Sequence, residues 1–262
     1  MVRAHVLGTA QDGGFPQALC RCPHCMTAWE NPALRRLPAS LAVESEGQFW
    51  LIDATPAIGE QLHMMSGLEF SGVLLTHAHM GHIIGLQMLG KEGPGVRDLP
   101  VYASRSLLNF FMANRPCFDL FFDGFLRPVE VAIGEKFALG GAMIEPVAVK
   151  HRGEFSDTFG FLIQGQVKSL FYCPDIDDWF DGPQEKIQQP DYALVDGTFF
   201  SPVELPGRDI RDIPHPLVHQ TLMAWEGKCR ELWLTHLNHS NSLVMDSSGF
   251  QVAKEAQIFE LG

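Results

Sequence analysis

The chain has 262 residues, 46% of them hydrophobic and 19% charged, with a formal net charge of −12. This composition excludes a disordered chain, and the length allows one sizeable α/β domain, expected over residues 1–262. The acidic balance speaks against a nucleic-acid partner, since phosphate binding needs a clustered basic surface.

Met1-Val2-Arg3-Ala4-His5-Val6-Leu7-Gly8 runs straight into a strand pattern. It holds no apolar leader with a cleavage site, and no run of about 18 apolar residues follows, so a soluble, cytoplasmic protein without membrane contact is expected. The first strand, Ala4 to Thr9, ends in the loop Gly8-Thr9-Ala10-Gln11-Asp12-Gly13-Gly14-Phe15-Pro16-Gln17. Adjacent glycines there permit positive φ and close approach to a ligand or another loop. No G-K-[ST] follows, so the match to a phosphate cradle is weak.

Cys20-Arg21-Cys22-Pro23-His24-Cys25 comes next. In a reducing cytosol, C-x-C-x-x-C reads as a metal knuckle over residues 20–25 rather than a disulfide set. Three thiolates need a fourth ligand for tetrahedral zinc. His24 is squeezed between Pro23 and Cys25, so a distant residue is the better donor. Cys117, Cys173 and Cys229 are scattered and read as buried or free thiols.

Leu41 to Glu44 and Phe49 to Asp53 read as a hairpin. Asp53 either orients a metal-bound histidine or caps the helix that Pro56 opens. After that helix stops at Gly67, Val73-Leu74-Leu75 reads as the end of a strand buried on both faces. Thr76-His77-Ala78-His79-Met80-Gly81-His82 follows at once. An H-x-H pair at a strand end aims two imidazoles at one ion, and the third histidine reaches a neighbouring ion.

Ile83 to Leu89 suits a short helix, Val101-Tyr102-Ala103 a strand and Ser104 to Ala113 a second helix. The segment 118–125 carries four phenylalanines and follows no clean period; core packing is the default reading, a pocket wall or a homodimer contact the sharper one. Strands resume at Val129 to Ala132, Ala142 to Val149, Phe159 to Gln164, Ser169 to Tyr172, Tyr192 to Asp196 and Glu231 to Thr235. Pro216 to Trp225 suits a helix, on which His219 reads as a packed polar residue. Repeatedly an apolar strand stops and a metal-type ligand stands at its end, at His77, His151, Asp175 and His236. Asp177 and Asp196 compete with Asp175. The units suggest α/β architecture, an αββα sandwich of two mixed β-sheets flanked by helices.

Thr-His-x-His-x-x-His after a strand resembles the metallo-β-lactamase superfamily. That resemblance implies a first metal on His77, His79 and His151 and a second on His82 and His236, with Asp175 bridging. The family usually has Asp where this chain has Gly81, so a weaker second metal is expected, and Gly81→Asp is expected to tighten it unless φ there is positive. The loop 8–17, the cysteine knuckle and Asp196-Gly197-Thr198-Phe199 resemble the pyrroloquinoline quinone biosynthesis protein B family over most of the chain. The knuckle also resembles that of the cyclic phosphodiesterases of phosphonate catabolism, which implies His239 as fourth ligand of a structural zinc with Cys20, Cys22 and Cys25.

The reading is a metal-dependent hydrolase in which a metal-bound hydroxide, oriented by Asp175, attacks an ester, lactone or phosphodiester of a small molecule. His215, on a loop, is expected to protonate the leaving group. Zinc is the first choice of catalytic metal, as one ion or two, with Mn or Fe as alternatives. One rival is an iron-dependent, oxygen-activating enzyme of cofactor or natural-product biosynthesis; another is a non-catalytic metal-binding protein.

Overall fold

The computed structural model describes residues 1–204 and 214–262. The strands are β1 (Val2–Gly8), β2 (Ser40–Ser45), β3 (Gln48–Ile52), β4 (Glu69–Leu74), β5 (Leu99–Ala103), β6 (Leu126–Glu130) and β7 (Phe137–Leu139). They continue with β8 (Ala142–Val149), β9 (Thr158–Gln164), β10 (Ser169–Cys173), β11 (Tyr192–Asp196), β12 (Glu231–Thr235) and β13 (Ile258–Glu260). One sheet has the order β13-β1-β2-β3-β4-β5-β6 and the other β12-β11-β10-β9-β8-β7. Both are mixed. In the first, β1 to β3 are antiparallel and β3 to β6 parallel. In the second, β7 to β10 are antiparallel and β10 to β12 parallel.

Side-chain alternation along the strands builds the layers. Ile52 and Leu74 point between the sheets, where they meet Phe159, Phe161, Leu170 and Tyr172 of the second sheet. Their neighbours Leu51 and Val73 point outward, under helices carrying Leu86, Leu107 and Phe111. Both faces of these strands are therefore dry, and their sequence is continuously apolar for that reason. Each such fully buried side chain contributes roughly 1.5–3 kcal/mol over an exposed one. The outer face of the second sheet is covered by Trp179 and Trp225, whose rings meet edge-on 5.7 Å apart.

The helices are α1 (Pro23–Glu30), α2 (Ile58–Met64), α3 (Met80–Ile83), α4 (Arg105–Ala113), α5 (Cys117–Phe122) and α6 (Val218–Ala224). Ser104 starts α4 by accepting the Leu107 N–H at 3.1 Å, an N-cap placed to let Leu107 and Phe111 face the sheet. The phenylalanine-rich segment overlaps α5, whose six residues are too few to show a period. Leu120 and Phe125 enter the core, whereas Phe122 is 75% exposed and stacks on Phe118. α2 begins two residues after Pro56, and Asp53 does not cap it: the Thr55 hydroxyl accepts the Ala57 N–H instead. Among the described residues, no helix is long and apolar enough to cross a membrane.

Candidate metal centre

Parallel pairing brings the C-terminal ends of β3 and β4 together, and likewise those of β10, β11 and β12. The chain leaves these ends at Asp53, Thr76, Asp175, Asp196 and His236, on one edge of the sandwich. Ligand sites in α/β sheets form outside the carboxyl ends of strands for this reason. The two sheets are pinned there: Phe159 N–H donates to the Thr76 carbonyl at 2.9 Å, and Ala78 N–H to the Ser156 hydroxyl at 3.1 Å.

His77, His79 and His151 form one group whose ligand atoms lie within 4.8 Å of one another. Nδ1 of His79 stands 2.9 Å from Nε2 of His77 and 3.3 Å from Nε2 of His151. Asp175 faces both halves of the site. Its Oδ1 is 3.7 Å from Nε2 of His151, and its Oδ2 is 3.1 Å from His82 and 3.4 Å from His236. The three competing aspartates thus separate: Asp175 enters the site, and the other two stand behind it.

Every inward-facing ring but that of His79 is held from behind. Nδ1 of His82 meets Asp53 Oδ2 at 2.8 Å, Nδ1 of His151 meets Asp177 Oδ1 at 3.0 Å, and Nδ1 of His215 meets Asp196 Oδ2 at 2.8 Å. Nδ1 of His77 and of His236 meet the Thr76 and Thr198 hydroxyls at 2.9 and 3.0 Å. Such partners keep the proton on Nδ1 and turn Nε2 toward the centre, the arrangement of metal-binding imidazoles.

Burial, then the neighbouring imidazoles, pushes the His77 and His236 pKa well below 6.5 and that of His151 down to about 2. These rings are neutral, as ligands must be. Burial also opposes charge on His82, but Asp53 and Asp175 outweigh it and raise its pKa. His215 behaves alike, with Asp196 as the main opposing carboxylate.

The donor set fits a cation. Among the described residues, Nε2 of His82, Nε2 of His236 and Oδ2 of Asp175 are buried without a hydrogen-bond partner. A buried polar atom left so costs about 1–3 kcal/mol, and three lone-pair donors converging on one space are satisfied by a positive ion. The backbone is held away from its ordinary range nearby: Asp12, Asp53 and His236 have φ of 28°, 69° and 59°. Strain of this kind collects at binding sites.

A separate group lies beyond the last strand. Cys22 caps α1 and Cys25 sits buried in its first turn. Sγ of Cys20 and of Cys22 are 3.5 and 3.7 Å from Nδ1 of His239, and the four donor atoms including Cys25 lie within 4.8 Å of one another. Zn–S near 2.3 Å and Zn–N near 2.0 Å make tetrahedral edges of about 3.6 Å, which these distances match. His24 is turned away, its Nδ1 on the His239 carbonyl at 3.2 Å.

His215 is buried, with Nε2 4.0 Å from Asp175 Oδ1. Among the described residues a cleft of about 1340 Å³ opens beside it, lined by Lys150, Trp179, Phe180, Leu217 and Met223. His219 also lines this cleft and is exposed, so it is not a packed residue: it lies on the solvent face of α6, whose buried positions are Val218 and Thr221. Gly81 has no positive φ; what crowds the position is Asp12 of the N-terminal loop.

Residues 50–237 match the family model of the β-lactamase superfamily domain. The chain is 30% identical over 292 aligned residues to the coenzyme PQQ synthesis protein B of Methylobacterium sp. (strain 4-46), covering 98% of this chain and 96% of that protein. The structure of Zn(2+)-bound PqqB from Methylobacterium extorquens superposes with a TM-score of 0.86 at 22% identity, covering 99% of this chain and all of that one (100%). A diphosphatase from the PhnP family superposes with a TM-score of 0.76 at 24% identity over 98% of this chain and 96% of that one. Both superpositions speak to the fold.

Proposed function

The chain belongs to the β-lactamase superfamily and, within it, to the family of coenzyme PQQ synthesis protein B, and on that footing we propose that it is a metal-dependent hydrolase of a small ester, lactone or phosphodiester. The observation that carries this reading is Asp175, whose two oxygens face the His151 side and the His82–His236 side of one centre. His77, His79 and His151 would hold one ion, and His82, His236 and Asp175 would contribute to a second. When bound, such ions supply a water of lowered pKa and a Lewis acid for the carbonyl or phosphoryl oxygen.

The chain's own groups supply the rest. Asp175 is placed to orient the attacking water. His215, its charge favoured by Asp196, is placed to give a proton from Nε2 to the leaving group. The cleft beside His215 is large enough for a small molecule, and Trp179, Phe180, Leu217 and Met223 give it apolar walls. Cys20, Cys22, Cys25 and His239 would hold a structural zinc tying the N-terminal loop to the end of β12. None of the six cysteines is paired in a disulfide, which suits the cytoplasm, where cysteines stay reduced.

The test is a panel of esters, lactones and phosphodiesters assayed with metal-stripped and metal-reloaded protein. Hydrolysis that returns with the metal supports the reading. A second reading, oxygen activation with iron in coenzyme PQQ synthesis or a related pathway, is favoured by the nearly full-length likeness to PQQ synthesis protein B. Oxygen uptake by the iron-loaded protein separates the two.

A further inference from the structure

We propose that Asp12, reaching in from the loop after β1, is the carboxylate ligand of the metal held by His82 and His236, in place of a side chain that position 81 cannot carry. This rests on the reading above that the centre binds metal at two places. Asp12 Oδ1 is 3.8 Å from Nε2 of His82, and its carboxylate lies within 4.8 Å of the facing atoms of both His82 and His236. Two ligand atoms each about 2.1 Å from one ion stand about 3–4 Å apart, so the distance suits a shared ion better than a direct hydrogen bond. Both imidazoles are fully buried, and both Nε2 atoms lack a hydrogen-bond partner among the described residues.

Position 81 explains why the carboxylate comes from so far away in sequence. A Cβ on Gly81 would fall on the Asp12 carboxylate and lie 2.7 Å from the Asp12 Cα. The second contact is with backbone, which cannot step aside by a rotamer change. The loop is fixed by Gln11 N–H on the Leu237 carbonyl at 3.0 Å, Leu237 N–H on Thr9 at 2.8 Å and Ala39 N–H on Ala10 at 2.7 Å. These bonds strap the loop to the residue after His236, so Asp12 is delivered beside that ligand. Its φ of 28° is one that Asp tolerates better than most residues. Asp12 and Gly81 are thus two halves of one arrangement: a carboxylate at either position excludes one at the other.

The test is zinc titration of the chelated full-length protein against a chromophoric competitor, counting equivalents and their affinities. Asp12→Asn keeps the size of the side chain and suits positive φ. It is expected to weaken one of the histidine-bound equivalents at least about tenfold while the cysteine-bound equivalent is unchanged. Gly81→Asp alone is expected to lower the melting temperature, and adding Asp12→Gly to recover only the part of that loss due to the Asp12 side chain, since the contact with the residue 12 Cα remains; the two substitutions are thus non-additive, as independent sites would not be. Wild-type affinity for every equivalent in Asp12→Asn overturns the assignment of Asp12 and leaves the two-metal reading standing. A wild-type protein that takes up zinc only at the cysteines overturns both.

Discussion

Asp53 holds His82 and Thr76 at the same time. Its Oδ2 is 2.8 Å from Nδ1 of His82, and its Oδ1 accepts the Thr76 N–H and hydroxyl, each at 2.9 Å. One fully buried carboxylate therefore fixes both the exit from β4 and the ring of a ligand three residues from the H-x-H pair. Asp53→Ala should leave those buried donors unpaired, at about 1–3 kcal/mol each, and weaken metal binding at His82 by about 10–100-fold. Thermal melting together with metal titration checks this; a variant with unchanged affinity would mean that the ring needs no support.

Cys22→Ala should remove one zinc per chain and lower the melting temperature. The knuckle joins α1 to the stretch after β12, and burial pushes the Cys25 thiol up to about 12, so without metal that sulfur is protonated. Metal analysis and a melting curve on the same sample decide it. Unchanged zinc content and stability would remove the structural role.

Acidification should empty the two histidine groups in order. In the metal-free protein the raised pKa of His82 contributes stability that is complete below pH 6.5 and lost as pH rises through the raised value. His77, His151 and His236 have the opposite sign: their contribution is present above pH 6.5 and lost as pH falls toward their depressed values. A metal at His82 must displace a proton that the folded protein favours, whereas one at His77 and His151 meets no such competition. Between pH 7 and pH 5, ordinary solution values chosen to span about 6.5, the equivalent at His82 should leave first. Simultaneous loss by both groups would contradict the assignment.

His215→Ala should lower kcat by about 10²–10⁴-fold while leaving metal content unchanged if, as proposed, its Nε2 serves the leaving group rather than an ion. Asp196→Asn should do part of the same, through the 2.8 Å contact to Nδ1. Loss of metal in His215→Ala would reassign this histidine as a ligand.

Much of this was legible in the sequence because local pattern carried it. β4, β8, β10 and β12 end in apolar stretches cut off by a polar residue, and His77, His151, Asp175 and His236 were read from where those stretches stop. β7 and β13 were not legible: each has three residues, and each exists only by pairing with β8 or β1. α2 and α6 start two residues after the prolines expected to open them and end a little earlier than expected, since proline opens the turn before the helix rather than its first residue. Asp177 and Asp196 looked like rivals of Asp175, and only the closed fold shows them behind His151 and His215. Asp12 lay in a loop read for its glycines. Nothing local marks it, because its meaning depends on the empty space at Gly81.

The most direct measurement is hydrolysis under strictly anaerobic conditions by protein stripped of metal and then reloaded with zinc or manganese. The account predicts turnover of at least one ester, lactone or phosphodiester that is absent in the stripped protein, returns with the metal, needs no oxygen and is lost in Asp175→Asn. Turnover that appears only with iron and consumes oxygen, or reloaded protein that hydrolyses nothing across the panel, would contradict it.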